Sequence, residues 1–163
     1  MTEAIQILLN NLKSKEYKKE RREIPEPEYR NFYDLDGYVE NFKEYIANEV
    51  PIIHENDDFG FNIGVTYKIE QVYGNMTPNY YKIVSQGLDS IRNQISSNIE
   101  QTDDEDKQKF GKAMIDCIDA FLDLCDRYKE LALKENKMKL YNALCKVPHG
   151  AAESFYEACV FID

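Results

Sequence analysis

Four cysteines, Cys117, Cys125, Cys145 and Cys159, are the strongest nucleophiles in this 163-residue chain. None forms a C-x-x-C pair, and each lies in a helical pattern beside apolar neighbours. That setting predicts reduced, core-facing thiols with ordinary acidity and argues against a disulfide framework or a metal knuckle. A second concentration of chemistry is His54-Glu55-Asn56-Asp57-Asp58, one imidazole among three carboxylates. A hard cation wants ligands spaced around a glycine turn, as in D-x-D-x-D-G, and that spacing is missing, so the stretch reads as a solvated loop. His149 follows Pro148 in a turn with Ser154 downstream, but no acid completes a nucleophile–base constellation. It is expected in a surface or inter-helix role. Asp103, Asp104, Glu105 and Asp106 suit the positive end of a helix dipole and are read as structural. The residues alone therefore predict neither a catalytic nor a metal-ligating set.

The elements that would position these groups are mostly helical. Ile5, Leu8, Leu9 and Leu12 fall at i, i+3, i+4 and i+7, giving an amphipathic helix over about 3–22 that Thr2 can cap. Pro25 and Pro27 end it in a glutamate-rich connector. A second helix is predicted over about 36–49, with Asp36 as its cap and Tyr38, Val39, Phe42, Tyr45 and Ile46 on one side. Residues 59–67 alternate apolar and small or polar residues, the period of an extended segment, with Gly60 and Gly64 weakening it. Thr77-Pro78 predicts a helix start, with a buried face running from Tyr80 to Ile99. Gly87 lies on that face, where another backbone can approach closely. Thr102-Asp103-Asp104-Glu105 reads as a capping box opening the longest helix, to about residue 135, with Asn136 breaking it. A short helix over 138–146 follows, and Ser154-Phe155-Tyr156-Glu157 is a second box starting a terminal helix. That helix is apolar on most of its circumference. Burying Phe155, Val160, Phe161 and Ile162 is worth roughly 1.5–3 kcal/mol each, so the helix is expected to be covered by a larger protein, with docking back on this chain's own core as the competing reading.

Composition narrows the function classes. The chain carries a formal charge of −10, and its basic residues between Lys13 and Arg22 are interleaved with Glu16 and Glu20. Nucleic acid is an unsuitable partner for such a surface. No apolar run reaches the length of a membrane span and the N-terminus lacks a signal-peptide pattern, so a cytoplasmic setting and no membrane partner are expected.

Three stretches together resemble the pyruvate formate-lyase-like glycyl radical enzymes. Gly74-Asn75-Met76-Thr77-Pro78-Asn79-Tyr80, followed by Gly87-Leu88, is similar to that family's G-x-x-x-[PG]-[DN]-[YF] turn and helix with its later Gly-Leu. Asp126-Arg127-Tyr128-Lys129-Glu130-Leu131-Ala132 resembles its "RYA-x-LA" helix end. Leu144-Cys145-Lys146-Val147-Pro148 through Ser154-Phe155-Tyr156-Glu157-Ala158 is similar to its "C-x-x-VP…F-x-E-A" stretch, the most specific of the three. Order and spacing agree over roughly residues 51–163.

The resemblance implies a cytoplasmic, anaerobic, usually dimeric enzyme, longer than this chain, in which helices wrap an α/β barrel. In such enzymes a partner activating enzyme, dependent on S-adenosylmethionine, installs a radical on a glycine of an R-V-x-G-[YF] loop. The radical passes to a barrel cysteine that attacks substrate. Neither that loop nor a cysteine in matching context occurs here. The resemblance thus implies a mainly α, N-terminal helical portion of the barrel fold, with an extended segment near 59–67. It is not catalytic alone, and it binds no cofactor of its own. Residues 1–50 would be N-terminal helices and residues 51–163 a partial family domain, ending within its last helix. Its partners would be the remainder of the enzyme chain, the activating enzyme and a second copy. In the family the position after the turn glycine faces the substrate. Here it is Asn75, a neutral group that departs from the arginine of the pyruvate enzyme and favours a neutral or hydroxylated substrate. Its competing role is to serve the turn itself. Asp57, Asp58 and Phe59 match a loop that could shape the cavity rim. The alternative is a stand-alone helical interaction module using the apolar face of residues 155–162.

Overall fold

The computed structural model describes residues 34–53 and 79–162. Among these residues every regular element is a helix: α1 (Leu35–Asn48), α2 (Tyr80–Gln86), α3 (Leu88–Glu100), α4 (Glu105–Lys134), α5 (Met138–Leu144) and α6 (Phe155–Ile162). The mainly α expectation holds for them. The predicted helix over 3–22 and the extended segment near 59–67 lie outside the described residues.

Several starts and stops differ from the sequence reading. The N-cap position of α1 is Asp34, while Asp36 sits in the first turn and pairs with Lys109 of α4 at 2.8 Å. A carboxylate there is favoured by the helix dipole wherever the cap falls. The helix expected to run unbroken to residue 99 is divided at Gly87, which adopts φ 75° and ψ 162°. Asn79 caps its first half, accepting a hydrogen bond from Lys82 N–H at 3.0 Å. The predicted cap pair Thr77-Pro78 lies outside the described residues. In α4 the cap shifts two residues from the predicted box. Asp104 accepts from Lys107 N–H at 3.1 Å, and Thr102 Oγ1 accepts from Asp104 N–H at 3.2 Å. Two good capping side chains compete there, and aspartate serves at least as well as threonine.

The other signals hold. Asn136 adopts φ 58°, and the amides of Lys137 and Asn136 donate back to Ala132 and Leu133 carbonyls at 2.8 and 3.1 Å, a Schellman stop. At α6 the box closes reciprocally. Glu157 N–H donates to Ser154 Oγ at 3.2 Å, and Ser154 N–H donates to Glu157 Oε2 at 3.0 Å.

α4 is the spine. Pairings of Asp36 with Lys109 and of Glu49 with Arg127 show that α1 runs parallel to it. Arg92 of α3 pairs with Asp119, while Ile99 lies against Gly111, so α3 runs antiparallel. The core gathers at the C-terminal half of α4, where Leu124, Tyr128 and Ala132 are fully buried against Ile46, Ile53, Leu140, Leu144, Val147 and Val160. The cysteines only partly meet expectation. All four are free, but Cys125 alone is buried and Cys145 is exposed, because the short α5 turns that side of its C-terminus to solvent.

Candidate functional site

The segment after α5 docks onto the α2–α3 break through its backbone. Leu88 N–H donates to the Pro148 carbonyl at 2.8 Å, Asp89 N–H to the His149 carbonyl at 3.1 Å, and Ala152 N–H to the Val84 carbonyl at 2.9 Å. The contact is possible because residue 87 has no side chain. A Cβ there would lie 2.3 Å from the His149 carbonyl oxygen and 2.6 Å from Gly150 Cα. The expectation of a close backbone approach at Gly87 is met, and the approaching chain is a loop, not a helix. The Gly87-Leu88 pair of the first sequence stretch therefore meets the third stretch in space.

The imidazole of His149 continues this junction. Its Nδ1 lies 3.2 Å from both carboxylate oxygens of Asp89 on α3, and its Nε2 lies 3.6 Å from Asp126 on α4. The inter-helix role predicted for this residue is what it has. Beside it opens a cleft of about 540 Å³ lined by Asp89, Arg92, Asp119, Asp123, Asp126 and His149. Three of its four carboxylates already face cations: Arg92 grips Asp119 with two hydrogen bonds of 2.6 and 2.9 Å, Arg127 reaches Asp123, and Lys129 holds Asp126. The hydrogen bond from Arg92 holds the Asp119 carboxyl below its usual range, and that from Lys129 does the same for Asp126. Paired carboxylates make a poor general base, and among the described residues no group of three or more His, Cys, Asp or Glu side chains is placed to hold a metal ion. The cleft is a cross-linked seam between α3 and α4. Sequence reading missed it because its members are spread from residue 89 to 149 with no local spacing signal.

The second stretch, Asp126 to Ala132 at the C-terminal half of α4, also has a structural job. Arg127 donates through Nη2 to the Ile46 carbonyl at 2.5 Å and through Nη1 to the Glu49 carbonyl, closing the end of α1. Tyr128 is fully buried, and that burial pushes its hydroxyl up to about 12, with a backbone hydrogen bond from Ile52 pulling the other way. Together they fix the chain through Ile53, the last described residue before the next segment.

A family model described as Pyruvate formate lyase-like matches residues 60–162, more than half of the sequence. The chain belongs to the pyruvate formate lyase-like family. No curated protein and no solved structure matches it. Within this family member the residues predicted to touch substrate, Asn75, and to shape a rim, Asp57, Asp58 and Phe59, lie outside the described residues. The Cys117 and Cys125 thiols depart from the ordinary acidity expected. Burial pushes Cys117 up, and pushes Cys125 up to about 12, farther from the thiolate a nucleophile needs. Among the described residues no helix is long and apolar enough to cross a membrane.

The apolar face of α6 divides in two. Val160 is buried, and Tyr156 and Phe161 pack against the core, so part of the helix docks on this chain's own helices. Phe155, 85% exposed, and Ile162 stay in solvent, as do Tyr80 and Tyr81 of the adjoining α2.

Proposed function

We propose that this chain is the helical N-terminal portion of a pyruvate formate-lyase-like glycyl radical enzyme, a radical C–C or C–O lyase when complete. The portion would act as scaffold. Residues 1–50 supply leading helices and residues 51–163 the family-like part of a helix-wrapped barrel. The observation that carries this reading is convergence: family-like stretches distant in sequence pack on one another through Gly87, Pro148 and His149. The glycine that carries the radical, and the cysteine that receives it, would belong to other parts of the enzyme. The activating enzyme would act there too, in the cytoplasm and on a dimer.

Asn75 would face the substrate, offering two N–H donors and one acceptor to a neutral or hydroxylated molecule, with Asp57, Asp58 and Phe59 at the rim. The anchored end at Ile53, held by Arg127 and Tyr128, supports this, since it fixes one root of the segment carrying those residues. Reading the source DNA past codon 163 tests the proposal. An open frame leading to a barrel cysteine and an R-V-x-G-[YF] loop is the expected result, and an immediate stop codon overturns it. The second reading, a helical interaction module, draws on the exposed Phe155 and Ile162.

A further inference from the structure

Residues 89 and 149 are joined twice. Asp89 N–H donates to the His149 carbonyl at 3.1 Å, and the His149 ring turns back so that Nδ1 lies 3.2 Å from each oxygen of the Asp89 carboxylate. The far side of the same ring faces a second carboxylate, with Nε2 3.6 Å from Asp126 Oδ1 on α4. A neutral imidazole carries one N–H and one bare lone pair, so it can satisfy one carboxylate but must aim its lone pair at the other. Only the imidazolium, a donor at both nitrogens, suits both.

The neighbouring charges sharpen this asymmetry. On α4, Asp123 and Asp126 pair with Arg127 and Lys129, and on α3 Arg92 spends both its hydrogen bonds on Asp119. On the histidine's own segment Lys146 pairs with Glu153 and Glu157, while α2 contributes its backbone, the Val84 carbonyl. Among the described residues Asp89 forms no ion pair with a lysine or arginine, so its charge is met by His149. The Lys129 hydrogen bond, and after it the His149 charge, hold the Asp126 carboxyl below its usual range, so that side remains an acceptor while the ring titrates. We infer that His149 is a proton-operated latch. While the ring carries both protons it ties the segment between α5 and α6 to α3 and α4. When one proton leaves, one tie turns repulsive and the segment loosens from the Gly87 junction. The latch is closed on the acid side and released as pH rises through the range, about pH 5 to 8, in which an imidazole gives up its proton. The side chain is 33% exposed, which limits the effect to that of a partly screened ion pair, about two- to five-fold in opening. The inference is independent of the enzyme reading, since it concerns only how this chain holds its own junction.

Amide hydrogen exchange on the whole chain, read residue by residue by NMR, tests it. Leu88 and Asp89 N–H donate into the segment at 2.8 and 3.1 Å and report its opening. Asn136 and Lys137 N–H, at the stop of α4, serve as the internal standard, and the ratio of the two sets cancels the pH dependence of exchange itself. From about pH 5 to about pH 8 the protection of Leu88 and Asp89 relative to that standard should fall about two- to five-fold. His149→Gln, whose amide gains no proton over this range, should hold the ratio flat. So should Asp126→Asn, because the new amide donates to the bare Nε2 and a neutral ring then suits both neighbours. A ratio that does not change with pH in the unaltered chain overturns the inference. So does a fall that persists in His149→Gln, which assigns the titration to another group. If His149→Gln opens the junction at every pH, Asp126→Asn decides: a flat ratio supports the latch, and an undiminished fall overturns it.

Discussion

A methyl group at position 87 has nowhere to go. The backbone there adopts φ 75° and ψ 162°, a region essentially reserved for glycine. The added Cβ would also fall 2.3 Å from a carbonyl oxygen that cannot swing aside, because Asp89 N–H is bonded to it. Gly87→Ala is therefore expected to cost about 3 kcal/mol or more, from backbone strain plus displacement of the loop. Gly150→Ala, in the same junction, would place its Cβ 3.4 Å from the nearest atom, the Lys146 carbonyl oxygen. It is expected to cost less than about 1 kcal/mol. Urea unfolding of the two variants measures the contrast, and a loss at Gly87 as small as the one expected at Gly150 would mean that the junction contributes little to stability. The sequence identified Gly87 as a place of close approach because it interrupts an otherwise apolar face. It could not identify the approaching chain, which lies some sixty positions later (His149 and Gly150).

At the scale of elements, the ends of helices carry much of the specification, and they differ in how far away their partners lie. The terminal box is local. Glu157 receives amide hydrogen bonds from Glu153 and Ser154, and Lys146 sits 3.1 Å away. The Glu153 backbone hydrogen bond, more than the lysine, holds the Glu157 carboxyl below its ordinary value of 4.5. A carboxyl depressed in the folded state contributes stability that is fully present above its unfolded value and is lost as pH falls through its folded value. Glu157→Gln should thus be less stable than the unaltered chain at pH 7, and the two melting curves should converge as pH drops below 4.5. A gap that stays constant down to acid unfolding would show that the charge is immaterial. The end of α1 is closed from far away, by the guanidinium of Arg127. Arg127→Ala should cost about 2–3 kcal/mol, the scale of losing hydrogen bonds from a charged group. Lysine should restore less than half of that, because one ammonium cannot fork between two carbonyls. Thermal melts of both variants check this, and full rescue by lysine would reduce the effect to charge alone. This difference in reach explains what was legible. Helix existence, the box at Ser154 and the stop at Asn136 follow from neighbours in sequence. The break at Gly87 and the clamp by Arg127 depend on tertiary partners. The cap of α4 was misplaced by two residues because Thr102 and Asp104 are both competent and only packing chooses between them.

At the scale of the whole molecule, the question is which apolar surface belongs to this fold and which is offered to something else. Family membership covers residues 60–162, and so includes both the core at the end of α4 and the terminal helix. The helix presents two phenylalanines in different situations. Phe161 packs against the core cluster, whereas Phe155 is 85% exposed, on a helix that adjoins α2 and its solvent-facing tyrosines. A carboxylate introduced at each site separates the two roles. Phe161→Asp forces a charge against buried Val160 and its neighbours and is expected to destabilise by about 2–4 kcal/mol. Phe155→Asp exchanges one exposed side chain for another and should stay within about 0.5 kcal/mol of the unaltered protein. If α2 and the exposed edge of α6 form a face that a larger assembly covers, the unaltered chain will bind hydrophobic dye and associate as its concentration rises. Phe155→Asp will suppress both while remaining folded. Sedimentation against concentration, paired with urea unfolding, reads the two axes separately. Should Phe155→Asp destabilise as much as Phe161→Asp, the whole of α6 would count as internal packing. The interaction-module reading would then lose its surface, while the scaffold reading would keep its core.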